Sequence, residues 1–141
     1  MAVWLGMDPG RDKCGLAVCG ERAQLIHREI VPSERTWSRV QALVENYGCT
    51  GLVLGNSTSS RQWQAVLASL PIPLVQVNES HSTQEARIRY WQVCPPQGWR
   101  RWWPLSLQTP PVPVDDLAAW ILVERYVQGL PENNLQTRAM P

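Results

Sequence analysis

The chain contains no phenylalanine, a single lysine and two histidines, and it has no long apolar run. Because a membrane-spanning helix needs about 20 consecutive apolar residues, the sequence predicts a protein without a membrane segment. The four cysteines form no Cys-x-x-Cys pair and have no histidine close by, which excludes the usual spacing of zinc ligands. We therefore expect reduced, buried cysteines and a cytoplasmic location.

Neither sign of charge dominates, since the formal net charge is +1 over 141 residues. This balance excludes a polycation that would bind nucleic acid through its overall field, so a nucleic-acid-binding surface would have to be local. Twelve of the thirteen basic residues are arginine, which suits bidentate phosphate contacts and stacking on bases. The eight tryptophans supply bulk for a core and for stacking alike.

The hydrophobic pattern predicts one α/β domain over residues 1–131, followed by a flexible polar tail over residues 132–141. Three strands in hairpin order come first, and helices then alternate with short apolar strands. This order indicates a mixed five-stranded sheet, with antiparallel hairpin strands and parallel strands, flanked by helices. Ser33 is predicted as an N-cap, and a capping box opens at Ser82. The predicted strands cover residues 2–7, 13–19, 24–31, 51–55 and 74–77, and the predicted helices begin near residues 33, 60, 82 and 114.

Three acidic residues, Asp8, Glu79 and Asp115, stand where strands or loops meet turns or helices. Each alone has an ordinary explanation: a turn residue, a solvated loop residue and a helix N-terminal acid. Asp8 and Glu79 are predicted to follow strands, at the sheet edge where α/β proteins bind ligands. Three converging carboxylates would repel one another unless a divalent cation neutralised them. Oxygen ligands without histidine or cysteine favour Mg²⁺ or Mn²⁺, and metal-dependent phosphodiester hydrolysis follows as a reaction class.

Three motifs carry a family resemblance: Gly6-x-Asp8-x-Gly10 with Gly15-Leu16-Ala17, then Glu79 with Thr83 and Ala86, then Val114-Asp115-x-x-Ala118-Ala119. In order and spacing, over about residues 2–128, they resemble the YqgF/RuvX family of the RNase H-like superfamily. Members of that family are described as Holliday-junction resolvases and as nucleases that process the 5′ end of pre-16S rRNA. The resemblance implies that Asp8, Glu79 and Asp115 are the catalytic, metal-binding carboxylates, and that structured RNA or branched DNA is the substrate.

The chain departs from this family pattern at several positions. Asn78-Glu79-Ser80 lacks an acid and an arginine that usually flank the family's glutamate, Asp12 stands where a basic residue is common, and the loop after residues 51–55 lacks the usual Leu-Pro. These departures leave open a catalytically silent, nucleic-acid-binding paralogue. A phosphotransferase of the sugar-kinase type also begins with Asp-x-Gly after a strand, but it needs a second lobe to enclose ATP, which 141 residues hardly allow.

Arginine and aromatic residues interleave between Arg87 and Val114, a segment that contains no acidic residue. Such a segment can bind phosphates and stack unpaired bases, or it can anchor a proline-rich loop onto the sheet. Because it leads directly into Asp115, we expect part of it to face a nucleic-acid partner, bound by a monomer or a homodimer. The predicted nucleic-acid-binding residues are Lys13, Arg87, Arg100, Arg101, Trp102 and Trp103.

Three residues near these motifs are assigned lesser roles. His81 is either a proton carrier or, with better support, a polar residue at a helix start. Asp116 is predicted to be a surface or helix N-terminal residue rather than a fourth ligand, because it points about 100° away from Asp115 on a helix. His27 is predicted to be structural.

Overall fold

The fold is built on one five-stranded sheet, and the computed structural model describes residues 2–57, 59–80, 82–93 and 113–129. The strands lie in the order β3-β2-β1-β4-β5, with β1, β2 and β3 antiparallel and β4 and β5 parallel to β1. This arrangement confirms the predicted mixed sheet flanked by helices. The elements are β1 Trp4–Pro9, β2 Lys13–Cys19, β3 Leu25–Pro32, α1 Ser33–Tyr47, β4 Gly51–Gly55, α2 Ser60–Leu67, β5 Leu74–Val77, α3 Ser82–Val93 and α4 Asp115–Gln128.

The first strand extends further than its sequence predicts. β1 runs to Pro9 because β2 continues the antiparallel ladder to Cys14, so Asp8 lies inside the strand, opposite Gly15, and does not follow it. The pairing register with β2, which local sequence does not reveal, thus sets the end of the first strand.

The predicted N-cap at Ser33 is wrong in detail, because a tertiary partner takes its side chain, and a tertiary partner also takes Glu85 of the predicted capping box. α1 begins at Ser33 itself, with Pro32 as the N-cap residue, and the Ser33 hydroxyl donates a hydrogen bond to the carbonyl oxygen of Arg11 at 3.3 Å. α3 likewise begins at Ser82, and the Glu85 carboxylate accepts a hydrogen bond from Arg125.

The two faces of the sheet pack against different helices. Alternate side chains of a strand point to opposite faces, so Leu5 and Met7 join the core on the α1 face, whereas Trp4 joins the core on the other face, together with α4 residues. By the same alternation Asp8 belongs to the α4 face. α3 lies outside α4, where Ala86 shares a buried cluster with Leu117 and neighbouring α4 residues.

Glycines on this face let the α4 backbone approach the sheet closely. A Cβ atom on Gly6 would lie 2.5 Å from the carbonyl oxygen of Ala119, and one on Gly15 would clash with the carbonyl group of Asp115. Since Gly15 pairs with Asp8 across the β1–β2 ladder, this contact places the start of α4 beside Asp8. The Gly-x-Asp spacing therefore has a packing reason as well as a chemical one.

Some predictions fall on parts of the chain outside the described residues. These include the predicted tail, His81, and the nucleic-acid-binding residues Arg100, Arg101, Trp102 and Trp103. Over the described ranges, none of the helices combines the length and the apolar character that crossing a bilayer requires.

Candidate functional site

Three different parts of the fold bring the predicted carboxylates to the α4 face of the sheet. Asp8 comes from central strand β1, and Asp115 is the first residue of α4. Glu79 follows β5 by two residues, and its Oε2 atom occupies the space that a side chain on Gly55, at the end of β4, would fill. The glycines at positions 15 and 55 thus make room for Asp115 and Glu79.

The electrostatics of Asp8 show that the three acidic groups are neighbours. The pKa of Asp8 is raised from 3.8 to about 8, first because burial disfavours the charged form. The negative charge of Glu79, a hydrogen bond between the two carboxyl groups, and the charge of Asp115 raise it further. In this environment Asp8 holds a proton at neutral pH unless a cation replaces it.

Two oxygen atoms of the cluster are buried without a hydrogen-bond donor. With the acids ionised, Glu79 Oε2 and Asp115 Oδ2 accept no hydrogen bond from any described residue. Buried polar atoms are normally paired, and an unpaired one costs roughly 1 to 3 kcal/mol. The cluster is therefore short of positive charge and of donors, and a shared proton or a bound cation would relieve both deficits.

Lys13 provides part of the missing charge. Its Nζ atom lies 3.4 Å from Asp115 Oδ2, an ion pair that is too poorly aligned to count as a hydrogen bond. The Lys13 side chain is 46% exposed, so it can also turn outward. Over the described ranges, no three acidic, histidine or cysteine side chains form a ready-made ligand set, so the carboxylates are adjacent without being closed around a single point.

The loop that carries Glu79 is held by polar contacts that sequence reasoning missed. The backbone N–H of Glu79 donates to Asn56 Oδ1 at 3.2 Å, and the N–H of Ser80 donates to Asn78 Oδ1 at 2.9 Å. Asn56 directly follows the buried parallel strand β4. A polar amide side chain at the end of such a strand was the sequence signal that could have marked Asn56 as part of the site. Asn78 takes this role in place of the acid that the family resemblance led us to expect.

Asp116 lies in the first turn of α4, as one of its two predicted roles requires, but the alternative that it is a surface residue is wrong. Asp116 is only 8% exposed, and its carboxylate accepts hydrogen bonds from Arg28 at 3.1 Å and from the N–H of Leu117 at 2.9 Å. These partners fix α4 to β3 and leave Asp116 outside the acidic cluster. His27 is bonded to Glu29 and stacked on Tyr47, in keeping with a structural role.

The predicted nucleic-acid surface is only partly described, and one part of it is structural. Arg87 is exposed on α3. Arg89, in contrast, is paired with Glu124 and lies 4.5 Å above the Trp120 ring, and Trp91 is buried. The arginine and aromatic residues of α3 therefore divide between solvent and the α3–α4 packing seam.

Solved structures with a similar fold include RuvC proteins. The chain superposes on "T. thermophilus RuvC in complex with Holliday junction substrate" with a TM-score of 0.60 and 14% identity, over 92% of this chain and 95% of that one. It superposes on another Thermus thermophilus RuvC structure with a TM-score of 0.53 and 17% identity, over 90% and 96%. These matches show that the chain has the RNase H-like fold.

Sequence comparison finds a shorter match. The chain is 31% identical over 72 residues to S1 RNA-binding domain-containing protein 1 of Homo sapiens, and it matches the Pongo abelii protein equally. The match covers 47% of this chain but spans only 7% of the length of those relatives. No known protein-family profile matches the chain.

Proposed function

We propose that this protein is a metal-dependent nuclease that hydrolyses phosphodiester bonds in structured nucleic acid. The observation that carries the proposal is the cluster of Asp8, Glu79 and Asp115, in which the pKa of Asp8 is raised to about 8 and, once the acids are ionised, two buried carboxylate oxygens lack donors. Strongly perturbed pKa values, such as that of Asp8, cluster at functional sites. The fold shared with RuvC, one of whose structures contains a Holliday junction, supports the same reaction class.

The residues present fit Mg²⁺ or Mn²⁺. The ligands offered are carboxylate oxygens, and within the described ranges no cysteine or histidine lies in the cluster to favour zinc. In the proposed two-metal mechanism, one such ion held by Asp8, Glu79 and Asp115 would activate the attacking water, and a second would stabilise the leaving oxygen. Because the three carboxylates are not closed around one point, we infer that substrate phosphate completes the ligand set.

The protein's own residues have distinct roles in this proposal. Asp8 gives up its proton when a cation enters, because metal binding competes with protonation. Glu79 and Asp115 contribute the oxygens that lack donors. Lys13 and Arg87, both exposed, contact substrate phosphates, together with the predicted Arg100, Arg101, Trp102 and Trp103. The substrate is a structured RNA such as the 5′ leader of pre-16S rRNA, or branched DNA, and the protein acts in the cytoplasm as a monomer or homodimer.

A second candidate is a catalytically silent protein of the same fold that only binds nucleic acid. The absence of a ready-made three-ligand group among the described residues favours it, as does the replacement of charged family residues by Asn78 and Ser80. Nucleic-acid binding that persists in EDTA, together with no cleavage in any metal, would support this second candidate function.

A cleavage panel decides between the two candidates. Four-way DNA junctions, single strands and a pre-rRNA leader are incubated with Mg²⁺, Mn²⁺ or EDTA. We expect cleavage of a structured substrate in Mg²⁺ or Mn²⁺ and none in EDTA, because the carboxylates require a divalent cation to position water. Glu79→Gln, which removes one ligand charge, should lower cleavage by at least two orders of magnitude. Equal cleavage by wild type in EDTA would contradict the metal-dependent mechanism.

Lys13→Gln should change metal and nucleic-acid affinity in opposite directions. Without the ammonium group beside Asp115 Oδ2, we expect Mn²⁺ to bind up to about fivefold more tightly, since an exposed ion pair contributes about 0.2 to 1 kcal/mol. Nucleic-acid binding in EDTA should weaken by a similar factor and depend less on salt. Calorimetry with Mn²⁺ and salt-dependent binding assays measure the two effects, and Arg22→Gln, in the exposed β2–β3 turn, is the matched control. A weaker Mn²⁺ affinity in Lys13→Gln would show that the lysine supports the metal site.

A further inference from the structure

Arg125 on α4 reaches the loop that carries Glu79. It lies ten residues after Asp115, about 15 Å further along the helix axis. Its Nη1 atom donates to the carbonyl oxygen of Asn78 at 2.9 Å, and its Nη2 atom donates to Glu85 Oε1 at 2.7 Å. The guanidinium group therefore joins the residue immediately before Glu79 to the first turn of α3.

This contact matters because the Glu79 loop has little other support. β5 is an edge strand, and α3 buries Ala86 against α4 rather than against the sheet. Two hydrogen bonds are local, from the N–H of Ser82 to the Glu79 carbonyl and from the N–H of Ser80 to Asn78 Oδ1. Among the described residues, the loop backbone also donates a hydrogen bond to Asn56 Oδ1 and accepts one from Arg125. Asn56 holds the loop to the sheet, and Arg125 holds it to α4.

We propose that Arg125 is a positioning residue for Glu79. One helix then fixes two acids of the cluster: Asp115 through the packing of its first turn on Gly15, and Glu79 through the Arg125 bond to Asn78. The inference rests on the proposed function, since it assigns Arg125 a role in holding a metal-binding carboxylate. Loss of such a supporting contact typically lowers metal affinity 10- to 100-fold.

Arg89 provides a matched control in the same α3–α4 seam. Its guanidinium makes two hydrogen bonds to Glu124, at 3.2 and 2.9 Å, and lies over Trp120, but it does not touch the Glu79 loop. Arg125→Ala and Arg89→Ala each remove one arginine and one ion pair between neighbouring surfaces. A purely structural role predicts similar effects for the two variants, whereas a positioning role predicts that they differ.

The test measures Mn²⁺ affinity by calorimetry for wild type, Arg125→Ala, Arg125→Lys and Arg89→Ala. We expect Arg125→Ala to bind Mn²⁺ at least tenfold more weakly than wild type and Arg89→Ala to stay within about twofold, although both melt at lower temperature. Arg125→Lys, which keeps one donor toward the loop, should lie between them. Equal Mn²⁺ affinities of Arg125→Ala and Arg89→Ala would overturn the proposal.

Hydrogen–deuterium exchange gives a readout that needs no metal. Loss of the Arg125 contact should speed exchange of the Glu79, Ser80 and Ser82 amides, whereas Arg89→Ala should leave these amides unchanged. Unchanged exchange in Arg125→Ala would overturn the positioning role even if the wild type binds Mn²⁺. Conversely, a wild type that binds no Mn²⁺ would reject the proposed function, and the exchange result would still decide whether Arg125 holds the loop.

Discussion

Asp8→Asn is expected to abolish metal-dependent cleavage and, without metal, to raise the melting temperature at neutral and alkaline pH. The carboxylate lies near Glu79 and Asp115 in a half-buried site that disfavours its charge. An amide of the same shape removes that repulsion but binds a divalent cation poorly. Activity and stability should therefore move in opposite directions, which is typical of a residue kept for function at a cost in stability.

The stability gain should depend on pH in a definite direction. The pKa of Asp8 is about 8 in the folded protein and 3.8 without the fold's influence. Below pH 3.8 both the folded and the unfolded state hold the proton, so the substitution does not increase stability. As pH rises toward 8, the unfolded chain releases its proton while the folded protein keeps it, so wild-type stability falls. In EDTA the difference in melting temperature between Asp8→Asn and wild type should be smallest near pH 4 and largest above pH 8.

Asp12→Asn is the matched control, because the same chemical change is made in the exposed turn that follows β1. It should leave both cleavage and the pH dependence of melting close to wild type. If Asp8→Asn cleaves as well as wild type, the metal-site assignment is wrong. If it cleaves poorly but melts with wild-type pH dependence, Asp8 acts in catalysis without the electrostatic coupling described above.

The sheet and the proximity of Asp8, Glu79 and Asp115 could be predicted because local signals carry them, although the place of Asp8 inside β1 could not. Buried strands such as β4 are short apolar runs between glycines, and a helix start after Val114 follows from the apolar run beyond it. Parallel-strand geometry then places a residue after β5 near the residues of β1 at one edge of the sheet.

The contacts that complete the site could not be predicted, because they join residues far apart in sequence. Arg28 pairs with Asp116 across 88 positions and Arg125 bonds Asn78 across 47. From its neighbours in sequence, each arginine would be predicted to be a solvated charge on a strand or helix. Nothing in the adjacent sequence indicates its partner. The same holds for Ser33 and for Glu85 of the capping box, where local propensity predicts one partner and tertiary packing supplies another.

Gly15→Ala is expected to have the largest effect on folding of any single methyl addition to the sheet. A Cβ atom there would clash with the carbonyl group of Asp115 and lie 2.7 Å from the backbone nitrogen of Asp116. Backbone atoms of a packed helix cannot turn aside as a side chain can, so the whole start of α4 would have to move. Overpacking costs about 1 to 3 kcal/mol when side chains can adjust, and we expect the upper end of that range or more.

The measurement is thermal unfolding of Gly15→Ala beside Gly48→Ala. Gly48 ends α1 with a φ of +61°, and a Cβ atom there would meet nothing within 4 Å, so alanine brings backbone strain of only about 1 to 2 kcal/mol. Gly15→Ala should melt well below Gly48→Ala, by roughly 10 °C or more relative to wild type. It should also lose Mn²⁺ binding, because the displaced helix carries Asp115, whereas Gly48→Ala should keep it. Equal melting temperatures would show that α4 is free to shift, and the close packing that places Asp115 beside Asp8 would then not be what defines the site.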